Sequence, residues 1–295
     1  MNKHFSSYFL KILLLFTLSF QVGFGQISKT PTFLWAIFSK SDSVPSFLYG
    51  TIHHLGPKPL LENKKLLKLI WSSDLIVMEA DTAELFHPTK VRFDFTVDTP
   101  LDHLIGFADY QMVQQELFEA TGKQLENYKF KMPQMILNII QEGRDDQDPT
   151  YEPKPIMENA LYAVSRVKGI PIEGLETRED MYRIMYQGMP LEVQAKLLLY
   201  YLKDMKFNTT DAQLIPCFQK QDLNCLCEIE DMSHYTRPGD STIIISRNLF
   251  WLPKIEKHLK QKNIFIGVGA AHLCGDYGIV ALLKKKGYIL IPMKL

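Results

Sequence analysis

Two histidines in this chain each stand three residues after a glycine that closes an apolar run: His53 in Gly50-Thr51-Ile52-His53 and His272 in Gly269-Ala270-Ala271-His272. A glycine at the end of a strand lets another backbone or a ligand come close, and a residue three positions later can turn back over the sheet edge. One such pattern arises easily by chance. Two in matching surroundings are a stronger indication. Carboxylates keep them company: Glu79 closes the apolar run "DLIVMEAD", with Asp81 two residues on, while Glu173 and Glu176 lie in "GIPIEGLE". A carboxylate at the end of a buried strand has to be paired, ligated or protonated, because burying it alone is costly.

Two imidazoles with one or two acids form a donor set for zinc, manganese or cobalt that leaves a position for water, and the predicted ligands are His53, Glu79 and His272. Without a metal, the same groups serve as general acid and base. Arg247 lies in "SRNLFW", an otherwise apolar stretch. It suits an ion pair with Glu79 or Glu176, and equally a clamp whose parallel N–H groups hold a substrate carbonyl or carboxylate. Glu176 has a second reading, because "GLETRED" is a good helix start with Thr177 as cap and Glu179 and Asp180 in the first turn. His54 either orients His53 or faces solvent.

The elements that must position these residues are short apolar runs bounded by turn residues, at 31–38, 46–50, 74–80, 169–176, 263–269 and 287–293. They suit buried strands covered by helices. Amphipathic helices are predicted at 60–71, 156–169, 190–205 and 244–262, the first ending near Trp71, the second on Gly169, and the last kinked or split at Pro253. Each end of the chain thus reads as strand, GxxH, helix, strand. Such crossovers lay their two strands parallel and bring both histidines to one carboxyl edge. The expected fold is α/β: a mixed, partly parallel central sheet built from two β–GxxH–α–β units at the chain ends, with a mostly helical insert from about 105 to 260 packed on it.

The chain has 295 residues, 46% of them hydrophobic and 12% aromatic, enough to fill a core. No linker divides it, and one domain is expected over 26–295. Lys+Arg and Asp+Glu are both 33, so no net charge favours nucleic acid as a partner. At the N-terminus, Lys3 and Lys11, the apolar run 12–20 and small residues at Gly23 and Gly25 have the layout of a secretory signal peptide spanning 1–25. Nine apolar residues are too few to span about 30 Å of hydrocarbon. The expectation is therefore an exported protein of a periplasm, outer surface or medium, with no membrane span after cleavage. In an exported chain, Cys217, Cys225, Cys227 and Cys274 suit disulfides or buried thiols better than a zinc knot, with three pairings open.

The blocks "FLWAI…FLYGTIHHLG", "SSDLIVMEAD", "ALYAVSRVKGIPIEGLET", "SRNLFW" and "FIGVGAAHLCGDYGIVALLKKKGYILIPM" follow one another as in the TraB/GumN family, which includes the TIKI proteins of animals, and the sequence closely resembles that family. The resemblance implies a compact α/β fold related to the erythromycin esterase and ChaN-like proteins. It also implies a cleft lined by residues that match His53, Glu79, Arg247 and His272. TIKI proteins are described as metal-dependent proteases favouring manganese or cobalt, whereas related sites are thought to act as metal-free esterases or to bind haem. Where many relatives have an aspartate, this chain has Glu158 in "PIMENAL", which makes it a further candidate. Its longer side chain would move the carboxylate by about 1.5 Å, one C–C bond.

These readings lead to an expected metal-dependent hydrolase, a peptidase acting on a peptide or small-molecule substrate through a divalent ion and its bound water. The alternatives are a metal-independent, esterase-like hydrolase and a periplasmic protein that binds a peptide or haem without turnover.

Overall fold

The computed structural model describes residues 28, 30–39, 44–52, 55–80, 93–147, 156–203, 209–236, 239 and 241–295. The predicted signal peptide, His53, His54 and Asp81 lie outside the described residues.

All six predicted strands form: β1 (Leu34–Phe38), β2 (Ser46–Thr51), β3 (Leu75–Ala80), β4 (Ile172–Glu176), β5 (Ile264–Gly269) and β6 (Ile289–Met293). They make one sheet in the order β4-β3-β5-β2-β1-β6. β2, β3, β4 and β5 are mutually parallel, and β1 runs antiparallel to both of its neighbours, β2 and β6. β6 therefore points the same way as β5, so each GxxH unit does lay its two strands parallel. The central strands are apolar on both faces, as in Leu75–Met78 and Ile264–Val268, because helices cover the sheet.

The helices used below are α1 (Lys64–Trp71), α2 (Phe107–Thr121), α3 (Pro133–Gln147), α4 (Met157–Lys168), α5 (Leu191–Lys203), α6 (Thr209–Gln219), α7 (Leu223–Thr236), α8 (Arg247–Leu259) and α9 (Ile279–Lys285). The predicted helix over 60–71 is in fact two. A single turn, Lys58–Leu61, is followed by α1, which begins where the Asn63 side chain accepts a hydrogen bond from the Leu66 N–H at 3.0 Å. This local cap competes successfully with a continuous helix. α4 ends at Gly169, whose φ of 68° is a left-handed stop. Pro253 does not split α8, which runs through it with Asn248, Trp251, Leu252, Ile255 and Leu259 all buried. Burial of that face outweighs the missing N–H of the proline.

Two apolar cores follow from this arrangement. The larger packs the sheet against α1, α4, α8 and α9, and Gly267 of β5 lets Leu161 of α4 lie directly on the strand. The smaller belongs to the helical insert and joins Val113 and Leu117 of α2, Ile136, Leu137 and Ile140 of α3, and Ala195 and Leu198 of α5. The four cysteines pair as Cys217–Cys225 and Cys227–Cys274. The second bridge ties α7 to the turn that carries His272. Among the described residues, no helix is long and apolar enough to cross a membrane.

Candidate active site

Because β2, β3, β4 and β5 are parallel, their carboxyl ends share one edge of the sheet. The register aligns Thr51 with Gly269, Met78 with Gly267 and Ala80 with Glu176. Both glycines of the GxxH motifs are needed for contacts inside the protein. A Cβ on Gly50 would lie 3.1 Å from both Cα and Cβ of Ala270, because the turn after β5 packs across the end of β2. A Cβ on Gly269 would lie 3.2 Å from Oε1 of Glu79.

Arg247, the first residue of α8, is the centre of the cluster. Its Nη2 donates to Oε2 of Glu79 and to Oε1 of Glu176, each at 2.6 Å, and its Nε donates to both oxygens of Glu176 at 3.1 and 3.2 Å. Nη1 faces Nε2 of His272 at 3.4 Å. Both ion-pair readings of the sequence hold at once. Burial by itself would lower the pKa of Arg247, but the Glu79 and Glu176 carboxylates hold it above its ordinary value.

Glu176, whose side chain is fully buried, also accepts from the Trp251 indole N–H at 2.9 Å. Glu79 is more open, with 16% of its side chain exposed. Its Oε1 accepts the Gly269 N–H at 2.7 Å and lies 3.8 Å from Nε2 of His272. On the far side of the imidazole, Nδ1 meets Oδ1 of Asn248 at 2.7 Å, while the Asn248 amide group donates to the carbonyls of His272 at 3.1 Å and Tyr277 at 2.9 Å. The Trp251 ring lies 4.4 Å from the imidazole and 4.6 Å from the guanidinium carbon.

The structure thus brings together Glu79, Glu176, Arg247 and His272. Glu158 sits one strand over. In the first turn of α4, it is buried and accepts the Thr51 hydroxyl at 2.5 Å. Together with burial, its charge pushes the phenol of nearby Tyr49 above the ordinary value. Glu176 also keeps its second predicted role: it ends β4 just before a capping box in which Thr177 and Asp180 exchange hydrogen bonds. Glu173 bonds elsewhere, at 3.3 Å from Nε2 of His258. Asn248 and Trp251 were not singled out from the sequence. The available signal was helical spacing, since residues 247 and 251 share a face and 248 flanks it.

Among the described residues, no group of three or more His, Cys, Asp or Glu side chains could hold a metal ion. Two of the three predicted ligands, Glu79 and His272, face each other with the Arg247 guanidinium within 3.4 Å of one and 2.6 Å of the other. The third, His53, lies outside the described residues. The described donors do not fit a divalent ion by themselves, since a cation already contacts both.

The model of the TraB/PrgY/gumN family matches residues 33–292. The chain belongs to that family. The match runs from just before β1 to Pro292, one residue short of the end of β6, so β1 to β5, nearly all of β6 and all four clustered residues of this TraB/PrgY/gumN protein fall within it. No curated protein and no solved structure matches the chain.

Proposed function

We propose that this TraB/PrgY/gumN protein is an exported hydrolase of carbonyl substrates, a peptide or a small ester or amide, in which His272 activates water. The observation that carries the reading is the approach of His272 Nε2 to the Arg247 guanidinium, 3.4 Å away, at the edge where Glu79 reaches solvent. In the reaction, a water O–H bond breaks and its proton passes to Nε2. The oxygen attacks the carbonyl carbon, and an N–H of Arg247 Nη1 faces the developing oxyanion. Collapse of the intermediate breaks the ester or amide bond, and the leaving group takes the proton back from Nε2. Glu79 and Glu176 hold the guanidinium in place, and His53 is the second proposed imidazole of the site. Export is supported by the leader-like residues 1–25 and by two disulfides, which persist in oxidising compartments.

A second reading keeps the metal. The 3.8 Å between His272 Nε2 and Glu79 Oε1 favours it, because the two donors already face one another with the ring held where it is. His53, Glu79 and His272 would then hold manganese, cobalt or zinc, and the ion would supply a water with a pKa of about 7.

The test is turnover of p-nitrophenyl acetate and of a peptide library by protein purified without a chelating tag, with elemental analysis beside it. The hydrolase reading expects turnover that Ala at His272 abolishes. Survival of that turnover after exhaustive chelation selects the metal-free form. Its loss, with restoration by manganese, cobalt or zinc, selects the metal form. An uncleaved library and unreacted ester would overturn the hydrolase reading.

A further inference from the structure

We propose that Asn248 is the positioning residue that fixes His272 as its Nδ1–H tautomer, so that the Nε2 lone pair is aimed at the Arg247 and Glu79 side of the site. This assignment rests on the reading of His272 as the group that takes a proton from water.

The orientation of the Asn248 amide follows from its partners. Its nitrogen lies 3.1 Å from the carbonyl oxygen of His272 and 2.9 Å from that of Tyr277. Both are acceptors only, so both need an N–H opposite them. Exchanging the amide oxygen and nitrogen would set an oxygen against two oxygens in a site with no exposure at Asn248. The atom 2.7 Å from His272 Nδ1 is therefore the amide oxygen, and it requires a hydrogen on Nδ1. The other ring nitrogen meets the opposite condition. Arg247 Nη1 at 3.4 Å can only donate, and a donor calls for a lone pair on Nε2. The two observations are independent and select the same tautomer.

Asn248 also ties the ring to its own backbone. Through the carbonyls of residues 272 and 277, one side chain holds both ends of the turn Leu273–Asp276, so the imidazole cannot swing without giving up its Nδ1 bond to an amide that is itself anchored at two points. Arg247 and Asn248 are consecutive on α8. The helix thereby grips His272 from both nitrogens, one residue on each side. The same tautomer presents Nε2 to a metal, so the assignment serves either form of the site.

The experiment is a two-dimensional 15N NMR spectrum of the histidine ring nitrogens in the oxidised full-length protein, with the His272 signals assigned by comparison with His272→Gln. The wild type is expected to show a protonated Nδ1 and an unprotonated Nε2 at residue 272. Asn248→Ala is expected to shift that ring to a mixture or to the opposite tautomer, and to lower p-nitrophenyl acetate turnover by roughly 10- to 100-fold. A protonated Nε2 in the wild type, or an unchanged tautomer in a folded Asn248→Ala protein, overturns the assignment. If Asn248→Ala does not fold, the wild-type spectrum decides alone: a hydrogen on Nε2, or none on Nδ1, overturns the assignment. The NMR readout does not need turnover. A wild type with the expected tautomer and no hydrolysis would leave Asn248 in its role and remove the hydrolase reading alone.

Discussion

Thr51 of β2 and Gly269 of β5 are register partners in adjacent parallel strands, so the two GxxH motifs leave the sheet within one residue of the same level. Gly50, the first residue of one motif, packs against Ala270, the second of the other, with Leu273 close behind. The glycine of the repeated motif is therefore a packing device as well as part of the turn that presents His272.

Gly50→Ala should push the two turns apart. Its new methyl would meet Ala270 at 3.1 Å and Leu273 at 3.3 Å, closer than an ordinary contact. Overpacking of this kind costs about 1–3 kcal/mol. Urea unfolding should show that loss, together with reduced turnover, because the strain falls on the turn bearing His272. Unchanged stability would mean that the turn adapts without strain.

Glu79 and Glu176 both bind Arg247 but should respond differently to substitution. Glu176→Ala leaves a buried guanidinium with one carboxylate and an indole N–H without its acceptor, a change expected to cost about 3–5 kcal/mol. Glu79→Gln lies on the more open side and leaves the Glu176 pair intact. It should cost about 1 kcal/mol in stability while lowering turnover by at least an order of magnitude. Equal stability losses in the two variants would contradict this division.

The disulfides should contribute unequally. Cys227–Cys274 closes a separation of 47 residues and Cys217–Cys225 one of 8. On chain entropy, these correspond to about 4 and about 2.5 kcal/mol respectively. Paired serine replacements, followed by thermal unfolding, check the order. Loss of the longer bridge should also reduce activity, since it anchors the turn that carries His272.

His258 should make stability depend on pH. Its pKa is lowered, chiefly by burial, although Glu173 works in the opposite sense. The folded protein then binds this proton less readily than the unfolded chain. Stability is flat above the ordinary histidine value of about 6.5, falls as the pH drops below it, and levels off beneath the lowered folded value. His258→Gln should remove that part of the slope, and Glu173→Gln should steepen it. Urea midpoints at pH 7.5 and 5.5 read the difference.

Much of this architecture is legible in the sequence because it follows simple patterns. Six apolar runs became six strands, and two crossovers gave two parallel pairs. Acids at the ends of β3 and β4 had to find a cation, and Arg247 is where they found it. The rest depends on details that pattern does not carry. Asn248 reads as an ordinary helix residue until its three bonds are seen, and Trp251 as a core aromatic until its N–H reaches Glu176. Asn63 divides a helix that periodicity would continue. Four thiols allow three pairings, and only the approach of α7 to the turn after β5 selects one. Glu158 is a candidate through the resemblance alone, and its bond from Thr51 follows from α4 starting over the end of β2.

The pairing of β2 with β5 has a consequence for how the protein matures. Just before this ladder begins, the Ser46 hydroxyl accepts the Ile264 N–H, and these two residues are separated by 218 positions in the chain. Such distant partners meet late in folding, after most of the loop-closure entropy has been lost. A nascent chain emerging from the ribosome carries Glu79 long before Arg247 and His272 exist to complete the constellation. The cluster of Glu79, Glu176, Arg247 and His272 is thus complete only once the last tenth of the chain has been made.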